Sequence, residues 1–143
     1  MIFWFLTALR KYAVFDGRSR RREYWYFVLV TALVTLALTL PYDLQTGGNP
    51  QLSPPGPIAL FLSFVYGLFV LAMFVPSLAL SVRRLHDTGR SGWWVLVGLV
   101  PFFGGLVLLY FSALDSEPGD NRFGPNPKGL AANLAAPVVD RPA

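Results

Sequence analysis

The chain has 143 residues, of which 54% are hydrophobic and only 14% charged, with a formal net charge of +4. Soluble domains carry roughly 25% charged residues, so an ordinary water-exposed surface is excluded. The absence of cysteine excludes disulfides, thiolate metal sites and cysteine nucleophiles.

Residues 24–40, 58–82 and 91–114 contain no Lys, Arg, Asp or Glu. As helices they would reach about 26, 37 and 36 Å, against a hydrocarbon core of about 30 Å. The expected fold is an all-α membrane protein with three apolar membrane segments. Residues 1–127 form one helical membrane domain, and residues 128–143 a disordered tail.

Ahead of the first segment, residues 2–9 are apolar but too short to span. They are expected to form an amphipathic helix at the interface, with Trp4 as its anchor. This stretch lacks a preceding basic residue and a following small-residue cleavage site, so it does not read as a cleavable signal. Asp16-Gly17 marks a turn, and Ser19 is placed to N-cap the first segment. No capping-box acid stands at the third helical position, which is Arg22; Glu23 falls one residue late.

Pro41 is expected to close the first segment. The following loop, residues 41–57, is rich in Gly and Pro and should be irregular. The second segment contains Pro76, which predicts a kink near Met73. Gly67, Ser77, Ala79 and Ser81 are small enough to admit a neighbouring helix. The segment should end near His86, with Asp87-Thr88-Gly89 as a turn, Gly89 at positive φ and Ser91 capping the third segment. Pro101 and Gly104-Gly105 interrupt the third segment. A single kinked crossing is the expected course and leaves the tail on the far side; a re-entrant hairpin, the alternative, returns it.

Charge is one-sided. Arg10, Lys11, Arg18, Arg20, Arg21 and Arg22 precede the first segment, and Arg83, Arg84 and Arg90 follow the second. The intervening loop holds no basic residue and one acid, Asp43. The positive-inside rule therefore places the N-terminus and the second loop in the cytoplasm of a multi-pass protein.

Two basic clusters are candidate sites. Arg20, Arg21 and Arg22 open a helix, where cations oppose the dipole unless an anion is nearby. The anionic leaflet supplies one, and Tyr24, Trp25 and Tyr26 add an aromatic belt; the plainer reading is topology and anchoring alone. Arg83, Arg84 and Arg90 converge with Ser91 on the start of the third segment, a plausible pocket for a phosphate or lipid headgroup. The plainer reading pairs Arg83 with Asp87, sets Arg84 on loop carbonyls and makes the loop a rigid staple.

His86, the only histidine, and its neighbour Asp87 lack the further ligands a metal site needs. As neighbours on a helix they diverge by about 100°, which disfavours a base and its orienter. No ionisable residue lies within the apolar segments, which argues against proton relays and ion-selective pores. Nucleic-acid binding is a poor account of arginines tied to a bilayer, and nothing calls for a cofactor.

FDGRSRRREYWYF, VPSLALSVRRLHDTGRSGWW, a proline-broken apolar run and PGDNRFGPNP, in that order, resemble the bacterial inner-membrane family called domain of unknown function 805. The resemblance covers residues 3–127. It implies a small multi-pass protein of the bacterial plasma membrane, without an established activity. It also draws in Asn121, Arg122 and Phe123, with Gly124 and Pro125, as a tail motif. Should that motif meet the loop around Arg83 and Trp94, the tail shares its side and the hairpin course is favoured.

The functional expectation is a non-enzymatic membrane component whose basic face binds anionic lipid or another phosphate-bearing ligand. The alternatives are a subunit of a homo-oligomeric channel or transporter for small solutes and a lipid-modifying enzyme using His86 and Asp87.

Overall fold

The computed structural model describes residues 2–51 and 53–129. It is helical, with α1 (Ile2–Arg10), α2 (Arg21–Thr46), α3 (Pro57–Asp87), a 3-10 helix (Gly92–Leu99) and α4 (Phe103–Ala113). The disordered tail expected from the sequence lies outside the described residues beyond position 129.

The short N-terminal helix packs into the bundle. Phe5 stacks on Phe27 with ring centroids 5.4 Å apart, and Ala8 is fully buried beside Phe27 and Leu80. Its outer face carries exposed Ile2, Phe3 and Leu6. These exposed apolar residues lie opposite the face packed on the bundle, and the helix ends on exposed Arg10.

α2 begins at Arg21, with Arg20 as the N-cap residue and no side-chain capping bond. Ser19 is therefore not the cap; its backbone N–H instead donates to the Arg83 carbonyl at 3.2 Å. The helix also continues through Pro41 to Thr46 rather than stopping there. It ends at Gly47, whose φ of 56° suits glycine and whose N–H donates to the Asp43 carbonyl. The loop is tied by Gln45, whose Oε1 accepts from the Gly56 N–H at 2.9 Å.

α3 is one element across Pro76. Proline has no N–H, so the Ala72 carbonyl loses its helical partner. The Tyr12 hydroxyl takes its place, donating to Ala72 O at 2.7 Å. One residue on, the Ser77 hydroxyl donates to Met73 O at 2.6 Å. At the other end Asp87 is the last helical residue, and Gly89 has φ 74° as expected.

α2 and α3 have 26 and 31 residues and are apolar enough to cross a membrane. The third apolar segment does not cross as one helix. Its 3-10 leg of 8 residues and its α-helical leg of 11 each extend about 16 Å, half a hydrocarbon core. The chain reverses at residues 100–103, where Phe102 has φ 65°. The legs then lie so close that a Cβ on Gly104 would fall on the Val97 carbonyl and 2.9 Å from Gly98 Cα. The single kinked crossing is corrected to a hairpin. Pro101 with a glycine that must lack a side chain makes a reversal, where proline alone would only bend the helix.

Candidate functional site

The hairpin gathers residues 15–23, 83–92 and 112–124 at one end of the bundle, and their charges interlock. Arg18 Nε donates to Asp87 Oδ1 at 3.0 Å. The same guanidinium donates to the Gly119 and Glu117 carbonyls, both at 2.8 Å. Arg84 binds the other Asp87 oxygen and the Leu114 carbonyl, and its Nε donates to Ser112 O at 3.2 Å. The Ser116 hydroxyl completes the Asp87 carboxylate at 2.6 Å. Arg83 pairs with Glu23 at 3.2 Å.

Arg83, Arg84 and Asp87 are at most 1% exposed. Ions pay heavily to leave water, and only close pairing with good hydrogen bonds offsets that cost. Arg84 meets this condition by holding the last carbonyls of α4, which have no helical partners and bear the negative end of the dipole. Arg83 meets it less well, since its Nε and Nη2 and the buried Ser19 Oγ find no partner among the described residues.

These contacts correct the sequence reading at several points. Asp87 pairs with Arg84 three residues back, and Arg83 turns to Glu23 on α2. Arg83 and Arg84 do not point at the start of the third segment; Arg84 reaches the C-terminal end of its second leg. Arg90 lies with its guanidinium carbon 4.2 Å from the centre of the Phe111 ring. Ser91 stands at the N-cap position of the 3-10 helix without a side-chain capping bond.

His86 and Asp87 diverge as expected. Asp87 faces the arginines, whereas His86 Nδ1 lies 3.3 Å from the Gly17 carbonyl. The tail motif covers this histidine. Phe123 stacks on its ring at 3.8 Å and 4°, Arg122 lies over Phe123 in turn, and Asn121 Nδ2 donates to the His86 carbonyl at 3.0 Å. Between them the backbone of Asn121 and Gly124 pairs in a tight turn.

Arg20, Arg21 and Arg22 are set apart from this network. With Asp115 and Lys128 they line a separate cavity of about 530 Å³. Lys128 pairs with Asp115, and that hydrogen bond holds the Asp115 carboxyl below the usual carboxylate range.

The sequence reading missed Arg18 and Glu23 as members of the site. Glu23 offered a signal, as the one acid in a basic stretch at the head of an apolar helix. Arg18 offered none, because its partners, the Asp87 carboxylate and the Glu117 and Gly119 carbonyls, lie far away in the sequence.

Every residue of the network falls within 12–125, the stretch matched by the model of a family described as protein of unknown function, DUF805. The chain belongs to this family. It is 41% identical over 128 residues to inner membrane protein YhaH of Escherichia coli K12, covering 87% of this chain and 96% of that one. Inner membrane protein YhaI of the same organism is 42% identical over 125 residues, with 87% and 95% covered. A more distant match, uncharacterized protein YiiR, is 29% identical over 91 residues and covers 60% and 49%. No solved structure matches the chain. For this DUF805 member the two long apolar helices fit insertion in a membrane, as the names of its relatives suggest.

Proposed function

We propose that this DUF805 protein is a non-enzymatic inner-membrane component that binds the phosphate of an anionic lipid headgroup at Arg20, Arg21 and Arg22. In this reading α2 and α3 cross the bilayer, the hairpin is re-entrant and both chain ends face the cytoplasm. Arg122 and Lys128 then join the basic side required by the positive-inside rule.

The observation that carries the reading is the arginine-lined cavity at the start of α2. Three guanidinium groups crowd a helix end whose free N–H groups and dipole are already positive, an arrangement that a phosphate relieves. Arg83 and Arg84, by contrast, are committed inside and carry no headgroup in this reading. Catalysis by His86 and Asp87 is disfavoured by their divergence, because Asp87 is saturated by Arg18, Arg84 and Ser116. No arrangement among the described residues specifically favours an oligomeric channel.

The test is native mass spectrometry of the protein released from mixed phosphatidylglycerol and phosphatidylcholine bilayers. Wild type should retain phosphatidylglycerol, and the triple change Arg20→Gln, Arg21→Gln and Arg22→Gln should retain markedly less of it while melting normally. Equal retention by both proteins overturns the reading.

A further inference from the structure

A second cavity, of about 470 Å³, opens between α3 and the 3-10 helix, away from the arginines. Its walls are mostly apolar, from Phe15, Leu78, Val82, Trp93 and Leu96. Two polar side chains enter it, Ser91 and His86.

The histidine is held in one orientation. A carbonyl only accepts, so the contact with Gly17 O requires the proton on Nδ1. In the neutral ring Nε2 then keeps a bare lone pair, and it makes no hydrogen bond among the described residues. His86 is only 9% exposed, one face being shut by Phe123. A Cβ on Gly92 would come 3.2 Å from Nε2 and 2.7 Å from Val82 Cγ1. Nε2 therefore looks into space that exists because residue 92 has no side chain.

We infer that this cavity binds one lipid molecule whose headgroup donates a hydrogen bond to His86 Nε2. Nε2 opens onto the cavity, so a purely apolar occupant would bury it without a partner, and a headgroup donor avoids that cost. The apolar walls suit the upper part of an acyl chain, and the volume lies within the usual range of small-ligand sites. Trp93, 79% exposed at the rim, is the residue type that settles at headgroup level. Two headgroups supply the donor, the ammonium of phosphatidylethanolamine and the glycerol hydroxyls of phosphatidylglycerol. Phosphatidylcholine supplies none. This site stands apart from the arginine cavity and does not depend on it.

His86 is the single histidine of the chain, so ¹⁵N-histidine labelling reports on it alone. The full chain is placed in nanodiscs of each of the three lipids. The Nε2 resonance should move upfield in phosphatidylethanolamine, phosphatidylglycerol or both relative to phosphatidylcholine, and the lipid that moves it is the donor. An identical resonance in all three bilayers overturns the inference, as does an Nε2 that carries its own proton in phosphatidylcholine. His86→Phe keeps a ring for Phe123 to stack on and deletes the acceptor. Made in the Arg20→Gln, Arg21→Gln, Arg22→Gln background, so that the arginine cavity holds no anionic lipid, it should lower retention of the donor lipid over phosphatidylcholine by about fivefold in native mass spectrometry; an unchanged ratio also overturns the inference.

Discussion

Arg18 and Asp87 meet at 3.0 Å across 69 residues of chain, and both side chains are closed to solvent. The pair joins the segment before α2 to the end of α3. The two remaining bonds of the Asp87 carboxylate, from Arg84 and Ser116, bring in the end of α4, which Arg84 also holds, and the segment after it.

Replacing Asp87 by Ala should therefore destabilise the protein by about 3–5 kcal/mol, because two buried guanidinium groups lose their shared counter-charge. Thermal melting in detergent measures this. Asp115→Ala, at an exposed pair, should leave the melting temperature nearly unchanged, because solvent screens such a pair.

Ser19 distinguishes two accounts of the same residue. As an N-cap it would lose about 1 kcal/mol on change to Ala. Its hydroxyl is instead fully buried without a partner among the described residues, so Ser19→Ala should be neutral or mildly stabilising. A clear drop in melting temperature would contradict the placement.

The hairpin turn is tested by two neighbouring glycines. Gly104→Ala drives a methyl group into the Val97 carbonyl and should cost about 1–3 kcal/mol or open the turn. Gly105 has nothing within 4 Å of its Cβ position, so Gly105→Ala should stabilise α4 by up to about 1 kcal/mol. Equal effects at the two sites would contradict the close approach of the legs.

Tyr12→Phe should lower stability by about 0.5–1.5 kcal/mol through the Ala72 carbonyl it leaves bare. Pro76→Ala restores the N–H that this carbonyl lacks. The double variant should therefore lose less than the sum of the two single changes, and strict additivity in a double-mutant cycle would remove the Tyr12 explanation.

The two long helices were legible because a run without charges is a direct statement about solvent. Their ends were not, since Pro41 is accommodated within α2 and Ser19 is drawn away by Arg83. Gly89 was placed correctly, because a positive φ leaves a local mark in the sequence. The hairpin was harder. Pro101 and Gly104 showed where the segment breaks, but whether a break bends or reverses depends on contact with Val97, which no spacing reveals. The arginine roles failed for a related reason. Charge counting puts Arg83 and Arg84 at one end of a helix, but it does not say that Glu23 and the α4 carbonyls would take them inside.

The Asp87 cluster also bears on the order of assembly. Its arginine from the N-terminal region and its carboxylate from α3 are synthesised well before Ser112, Leu114 and Glu117, whose groups complete the coordination. Until that last part of the chain emerges, the Arg18 and Arg84 guanidinium groups lack these carbonyl partners. The final segment thus acts as a latch on helices already made, and a nascent chain halted before residue 112 should remain loosely associated and open to proteolysis.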